Sequence, residues 1–237
     1  HSCNETFYPD SNEPLIKREY KPEPKREFVD KEYYKSLLFD YNNDRNNFID
    51  FLTNSIGVYE TDKILLNYVL GTSPKDRGVI FPYIDQNGNI ISLKHMQYNR
   101  ETGRRKDYIY YENPKHRFDL CLFGLHLIRA NNGLDIAIVE SEKTACLMSS
   151  FLPSFTWLAC GGSNGLNERK LRVLRARNVM LFPDHNKYDE WVEKAKSLNK
   201  NLPTINIDVS RDCEYWFNEG TLKKGGDIAD YYLTLKI

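Results

Sequence analysis

The residues best placed to do chemistry are acids that end apolar runs. Glu140 follows Ile136–Val139, and Asp184 follows Met180-Leu181-Phe182-Pro183. Asp189, Asp227 and Asp230 are further acids able to approach the same place. Grouped carboxylates repel one another, so such a set makes most sense around a hard cation. Mg²⁺ takes oxygen ligands and keeps water and phosphate in its remaining positions. Between the two acidic runs lies Cys160-Gly161-Gly162-Ser163-Asn164-Gly165. The Gly161-Gly162 backbone can approach a ligand closely and turn its amides toward phosphate. His185 reads either as a base or as polar surface. Each part has a plainer reading: a strand-end acid as a helix cap or surface residue, a glycine pair as a turn. The features in this order are more specific than any one of them.

Bringing Glu140 and Asp184 together requires a parallel sheet. Four apolar residues in a row, Ile136–Val139, suit a strand covered on both faces. Ser141 suits a helix N-cap, and the helix runs over Glu142–Leu152. The alternation continues with strand Phe155–Leu158, helix Glu168–Arg175, strand Val179–Phe182, helix Tyr188–Leu198, strand Thr204–Val209 and a short apolar helix after Gly225-Gly226-Asp227. Such alternation implies a mostly parallel sheet with helices on both faces. Ligands of open α/β sheets sit beyond the carboxyl ends of the strands, where Glu140 and Asp184 fall.

The part before residue 131 differs. Residues 1–29 carry Pro9, Pro14, Pro22 and Pro24 among charges and read as an arm or linker. Asp30 suits the cap of a helix with Tyr34, Leu37, Leu38 and Tyr41 on one face. A second helix turns Phe48, Phe51, Leu52 and Ile56 inward and ends at Gly57. A third starts near Thr61, carries Ile64, Leu65, Tyr68 and Val69, and stops at Gly71. Then strand Val79–Ile84, with Pro82 hinting at an edge or bulge, turns through Asn87-Gly88 into strand Ile90–Tyr98 and on to Asp107–Tyr111. This meander holds Lys94, His95, Arg100, Arg104, Arg105 and Lys106, with Lys115, His116 and Arg117 beyond, among tyrosines 98, 108, 110 and 111. It reads equally as a solvated sheet face or as a nucleic-acid surface, where cations meet phosphates and rings stack on bases. The predicted fold class is therefore α/β: a mostly parallel sheet with helices on both faces over 131–237, preceded by a small α+β lobe of helices and antiparallel meander over 30–130.

The 237 residues balance 33 basic against 33 acidic side chains, so any nucleic-acid role must rest on local patches. No run approaches the length of a membrane span, and no secretory signal is read. Five scattered cysteines form no disulfide framework and suggest a reduced, cytoplasmic protein. The start at His1 rather than Met suggests a fragment or a processed chain. His1 and Cys3 suit the tail of a zinc ribbon, but two ligands make no zinc site, so zinc would need ligands upstream.

The motifs carry a resemblance. Val139-Glu140-Ser141-Glu142-Lys143-Thr144-Ala145 resembles the first motif of the Toprim domain, shared by bacterial primases, topoisomerases and some nucleases. Ala159-Cys160-Gly161-Gly162 is similar to its glycine-containing motif, and Leu181-Phe182-Pro183-Asp184-His185-Asn186 to its D-x-D motif. Gly226-Asp227-Ile228-Ala229-Asp230-Tyr231-Tyr232-Leu233 resembles the acidic segment that follows in primases. Upstream, Phe48–Ser73, Val79–Gly88 and Leu122-Phe123-Gly124-Leu125 resemble successive parts of bacterial primase cores. The likeness covers about residues 46–235 in order. Overall it leads to primase-like Toprim proteins of bacterial mobile elements.

The resemblance implies an Mg²⁺- or Mn²⁺-dependent nucleotidyltransferase of the DNA primase type, acting in DNA replication or mobile-element transfer. Glu140 and Asp184 would be catalytic and hold metal, with Asn186, Asp227 and Asp230 as outer ligands or metal-water partners. Gly161 and Gly162 would meet phosphate, and Lys94, Arg100, Arg104, Arg105 and Lys106 would hold a single-stranded DNA template. Implied partners are that template, nucleoside triphosphates, and a helicase or other mobile-element proteins. Two departures stand out. Asn186 replaces the second acid of D-x-D, which weakens divalent binding, and Ser141 replaces the commoner glycine. Asn186 keeps two other readings open: a catalytically weakened DNA-binding accessory protein and a Toprim-type nuclease.

Overall fold

The structure is a computed structural model that describes residues 27–42, 46–112 and 120–235. The zinc-ribbon residues His1 and Cys3, the prolines of the arm, and Lys115, His116 and Arg117 lie outside the described residues.

The described residues build two four-stranded sheets. The first is antiparallel, in the order β1 (Gly71–Thr72), β2 (Val79–Ile84), β3 (Ile90–Tyr98), β4 (Arg105–Glu112). The second is parallel, in the order β6 (Phe155–Ala159), β5 (Asp135–Val139), β7 (Asn178–Leu181), β8 (Asn206–Val209). Alternate residues of β5 serve opposite faces, as the period of a strand requires. Ala137 and Val139 pack with α5 (Glu142–Phe151), while Ile136 and Ile138 pack with α6 (Glu168–Leu171) and α7 (Tyr188–Asn201). Helices thus cover both faces, and the expected α/β class holds.

The antiparallel sheet and the helices before it share a core with one face of the parallel sheet. α2 (Asn47–Ile56) starts at Asn46, whose side chain accepts from the Phe48 and Ile49 amides, and ends at Gly57 with φ 83°. Its buried Phe48 and Phe51 join Phe81 and Tyr98 in the same cluster as Val139 and Trp157. α3 (Val58–Tyr68) begins three residues before the expected Thr61. The Tyr68 hydroxyl donates to the Trp157 carbonyl at 2.9 Å, and Phe123 bridges to Ala159, so α3 and the Phe123 segment are tied by hydrogen bonds to β6 of the parallel sheet.

One expectation is corrected. Asp30 does cap α1 (Lys31–Lys35), but that helix ends before Leu37. The Leu37 carbonyl accepts from Thr72 and Leu38 bridges Gly71, so a strand contact takes the residues that helical periodicity claimed. The edge or bulge hinted at by Pro82 is present locally: β1 pairs only with Val79 and Ile80, leaving β2 without that neighbour at Pro82, and the β2–β3 register shifts between Tyr83 and Ile84. The sequence reading contained neither α4 (Leu127–Ala130) nor α8 (Asp212–Asn218), a helix burying only Cys213. The closing helix is α9 (Ile228–Thr234). Among the described residues, no helix is long and apolar enough to cross a membrane.

Candidate active-site cleft

Glu140 leaves the carboxyl end of β5, and Asp184 follows β7, its parallel neighbour, paired Ala137 to Met180 and Ile138 to Leu181. The Phe182 amide donates to the Ile138 carbonyl at 2.9 Å, extending the pairing almost to Asp184. The chain turns at once into α5, where Ser141 caps by accepting from the Thr144 amide at 3.1 Å. Burial, then the charges of Asp227, Glu140 and Asp230, push the Asp184 carboxyl up to about 8, against the pull of Lys143. Asp227, Glu140 and Asp230 are thus the acids whose charge bears most on Asp184. Asp189, in the first turn of α7, is not among the charges acting most on Asp184.

Asp227 and Asp230 also have structural duties. Asp227 is the N-cap of α9 and forms a reciprocal capping box with Asp230. Its Oδ2 accepts from the Thr144 hydroxyl at 2.6 Å, tying α9 to α5. Asp230 Oδ1 lies 3.7 Å from Lys143 Nζ. Asn186 is exposed with φ 72°, a left-handed conformation that asparagine tolerates better than most residues. Its backbone amide donates to Glu214 at 2.6 Å.

His185 is neither surface nor a poised base. It is buried, its ring stacks on Phe217 with centroids 3.8 Å apart, and its Nδ1 accepts from the Gly225 amide at 3.0 Å.

A cleft of about 770 Å³ opens beside Glu140. Glu140, Gly161 and Gly162 line it together with Arg104 of the β3–β4 turn, Arg105 at the start of β4 and the segment before Asp227. Gly103, at φ 62°, sets that turn against the Phe51 ring, where a Cβ would have no room. Gly161 and Gly162 have φ 82° and 134°. The Gly161 amide already donates to the Glu140 carbonyl at 3.0 Å, whereas a Cβ on Gly162 would meet nothing within 4 Å. Gly162 is thus the open half of the pair.

The oxygen donors and their mutual repulsion fit a hard cation. Among the described residues, however, no three His, Cys, Asp or Glu side chains are grouped as a ready metal cage.

The family model described as Domain of unknown function (DUF6371) matches residues 46–185, more than half of the chain. The chain belongs to that family. In this DUF6371 chain the matched span starts at the N-cap of α2 and ends at His185, so it includes Glu140 and Asp184 but not Asn186, Asp227 or Asp230. No curated protein matches the chain. Among solved structures, the primase fragment of the bacteriophage T7 primase-helicase protein is 18% identical over 85% of this chain and 78% of that one, with a TM-score of 0.49. A DNA primase domain from Pseudomonas aeruginosa is 17% identical over 78% of this chain and 65% of that one, TM-score 0.42. The RNA polymerase domain of the Mycobacterium tuberculosis primase is 13% identical over 78% of this chain and 64% of that one, TM-score 0.44.

The DUF6371 chain divides the expected cations. Arg104 and Arg105 are exposed and line the cleft, while Arg100 and Lys106 are exposed but not part of its lining. Lys94, expected with these cations to hold the template, stands apart from them. It is buried, with its ammonium 2.7 and 2.9 Å from the Glu142 carboxylate oxygens. Tyr98 is likewise core, 4.9 Å from the Phe48 ring, and only Tyr110 of the described tyrosine rings on β4 is largely exposed. Sequence reasoning missed Glu142 and Tyr83, whose hydroxyl donates to the same carboxylate. An acid in the first turn of a helix is ordinary, and nothing local marks it as buried.

Proposed function

We propose that this chain is a primase-like Toprim protein that binds single-stranded DNA and joins nucleoside triphosphates into an RNA primer on it, in replication or transfer of a mobile element. The observation that carries this reading is the juxtaposition of Glu140 and Asp184 on neighbouring parallel strands, with Glu140 sharing a cleft with Arg104 and Arg105. The sequence resemblance supports the same assignment. Glu140 and Asp184 would hold Mg²⁺ or Mn²⁺, with Asp227, Asp230 and Asn186 further out. When bound, the metal neutralises phosphate charge during in-line displacement. Arg104 and Arg105 bind the phosphates of template or nucleotide. Gly162, unhindered by a side chain, lets a ligand approach the backbone. Phosphoryl transfer needs mainly positioning and charge neutralisation, which these groups supply without a protein nucleophile.

The test is primer synthesis on a single-stranded template with Mg²⁺ or Mn²⁺. Glu140→Gln should abolish product and leave DNA binding intact. Cleavage of a labelled template in place of extension would turn the reading to a nuclease.

A second reading, a DNA-binding accessory protein with weakened metal chemistry, is favoured by Asn186. Its amide replaces an acid, and its backbone is held at φ 72° with the amide on Glu214. Template binding without any product, unrestored by Asn186→Asp, would favour it over the first.

A further inference from the structure

The segment from Thr221 to Gly226, which precedes Asp227, lines the cleft through Thr221, Leu222, Lys223, Gly225 and Gly226. It is held at both ends. The Thr221 and Leu222 amides donate to the Trp216 carbonyl at 2.9 and 3.1 Å, and the Leu222 side chain is buried in the shared core. At the other end His185 grips it twice: its Nδ1 accepts from the Gly225 amide, and its own amide donates to the Gly226 carbonyl, each at 3.0 Å. Because Nδ1 accepts, the ring hydrogen is on Nε2, which lies 3.5 Å from Glu214. His185 thereby joins the end of β7, beside Asp184, to this segment.

The segment presents Lys223. Two other cations of the cleft are already paired, Lys94 with Glu142 and Lys143 with Asp230. Lys223, Arg104 and Arg105 are exposed and, among the described residues, have no ion-pair partner. The cleft thus combines acids, Glu140 and Asp227, with exposed cations contributed by two separate segments of chain. Such a mixture suits a phosphate-bearing ligand accompanied by a divalent cation.

We propose that Thr221–Gly226 is a second phosphate-binding wall of the cleft, that Lys223 contacts the ligand's phosphate, and that His185 is the positioning residue that holds the wall in place. This deepens the function proposed above and rests on it. The phosphate can belong to the single-stranded DNA backbone or to a nucleoside triphosphate, and the two are separable by experiment.

Binding of a labelled single-stranded oligonucleotide, and of a fluorescent nucleoside triphosphate with Mg²⁺, is measured by anisotropy over a range of salt. If Lys223 meets the DNA backbone, Lys223→Gln lowers the slope of log affinity against log salt by about 0.7 for the oligonucleotide. If it meets the nucleotide, affinity for the triphosphate falls about tenfold or more and the oligonucleotide slope is unchanged. His185→Phe keeps a ring for Phe217 but loses the Nδ1 acceptor, and should reproduce the Lys223→Gln loss. His185→Asn, whose amide oxygen can stand in for Nδ1, should restore binding. Lys196→Gln, an exposed α7 position paired with Glu193, controls for net charge. The proposal is overturned, with the function reading intact, if Lys223→Gln leaves both ligands at wild-type affinity while Arg104→Gln weakens them. A wild-type chain that binds neither probe removes both.

Discussion

The ammonium of Lys94 on β3 lies 2.7 and 2.9 Å from the two carboxylate oxygens of Glu142, the first residue of α5, and both side chains are buried. The pair joins the antiparallel sheet to the turn that delivers Glu140. Removing one partner strands the other charge in a dry site, whereas removing both does not. Lys94→Met should therefore destabilise the chain by about 3–5 kcal/mol, and Lys94→Met combined with Glu142→Leu should recover most of that loss. Denaturant unfolding of the two singles and the double checks it.

The same pair sets a pH window. Burial pushes the Glu142 carboxyl up, but the charge and hydrogen bonds of Lys94 and the Tyr83 hydroxyl outweigh it, and the value falls below the usual carboxylate range. Burial pushes Lys94 down, but the Glu142 charge outweighs it and the value rises. A lowered carboxyl stabilises above its unfolded value and loses that contribution as pH falls through the folded one. A raised ammonium stabilises below its unfolded value and loses it as pH rises further. The pair's contribution should thus be flat between about pH 5 and pH 10 and decline in acid. Unfolded at a series of pH values, wild type should keep a constant offset from the double variant within that window and lose stability against it in acid.

Asp184 has the opposite sign. Its carboxyl, pushed up to about 8 by burial and by Asp227, Glu140 and Asp230, keeps its proton in the folded chain while the unfolded chain has lost it. Stability from this group should therefore decrease as pH rises from about 4 to about 8. Asp184→Asn should remove that slope and be more stable than wild type at pH 8 by on the order of a few kcal/mol. Mg²⁺ should raise the wild-type unfolding midpoint at that pH and leave the variant's unchanged.

Asp227 separates capping from charge. Asp227→Asn keeps an N-cap acceptor and should stay within about 0.5 kcal/mol of wild type, while Asp227→Ala loses about 1–2 kcal/mol with the cap and the Thr144 bond. If the charge serves the cleft, Asn and Ala should impair ligand binding alike, a comparison made by thermal unfolding beside anisotropy.

The two glycines should differ. A Cβ at Gly161 would stand 2.6 Å from the Tyr83 hydroxyl oxygen, displacing the group that bonds Glu142, whereas Gly162 has open space. Gly161→Ala should lower the melting temperature clearly more than Gly162→Ala, which bears only about 1–3 kcal/mol of backbone strain.

Strands β2, β3 and β5 and helix α5 were legible because each is written in consecutive residues. The apolar run Ile136–Val139 demands cover on both faces, and Asn87-Gly88 closes a hairpin whatever lies around it. The Asp227–Asp230 capping box is equally local, a D-x-x-D before an apolar helix, although the sequence reading assigned these acids only to the metal rim. The placement of Glu140 and Asp184 at strand ends was legible too. Their adjacency depended on the order β6-β5-β7-β8, which the structure supplies.

The remaining features depend on residues far apart in the chain. Leu37 and Leu38 match helical spacing, yet their contacts with Gly71 and Thr72 draw them out of the helix. Lys94 alternates like a solvated cation until Glu142, 48 positions away, is packed over it. His185 acquires its role from Gly225, 40 positions away. Hydrogen bonding within a helix or hairpin acts between near neighbours, so local residues decide which element forms. A buried charge or an unpaired imidazole nitrogen is stabilised only by a partner that tertiary packing brings to it, and no stretch of sequence around it names that partner.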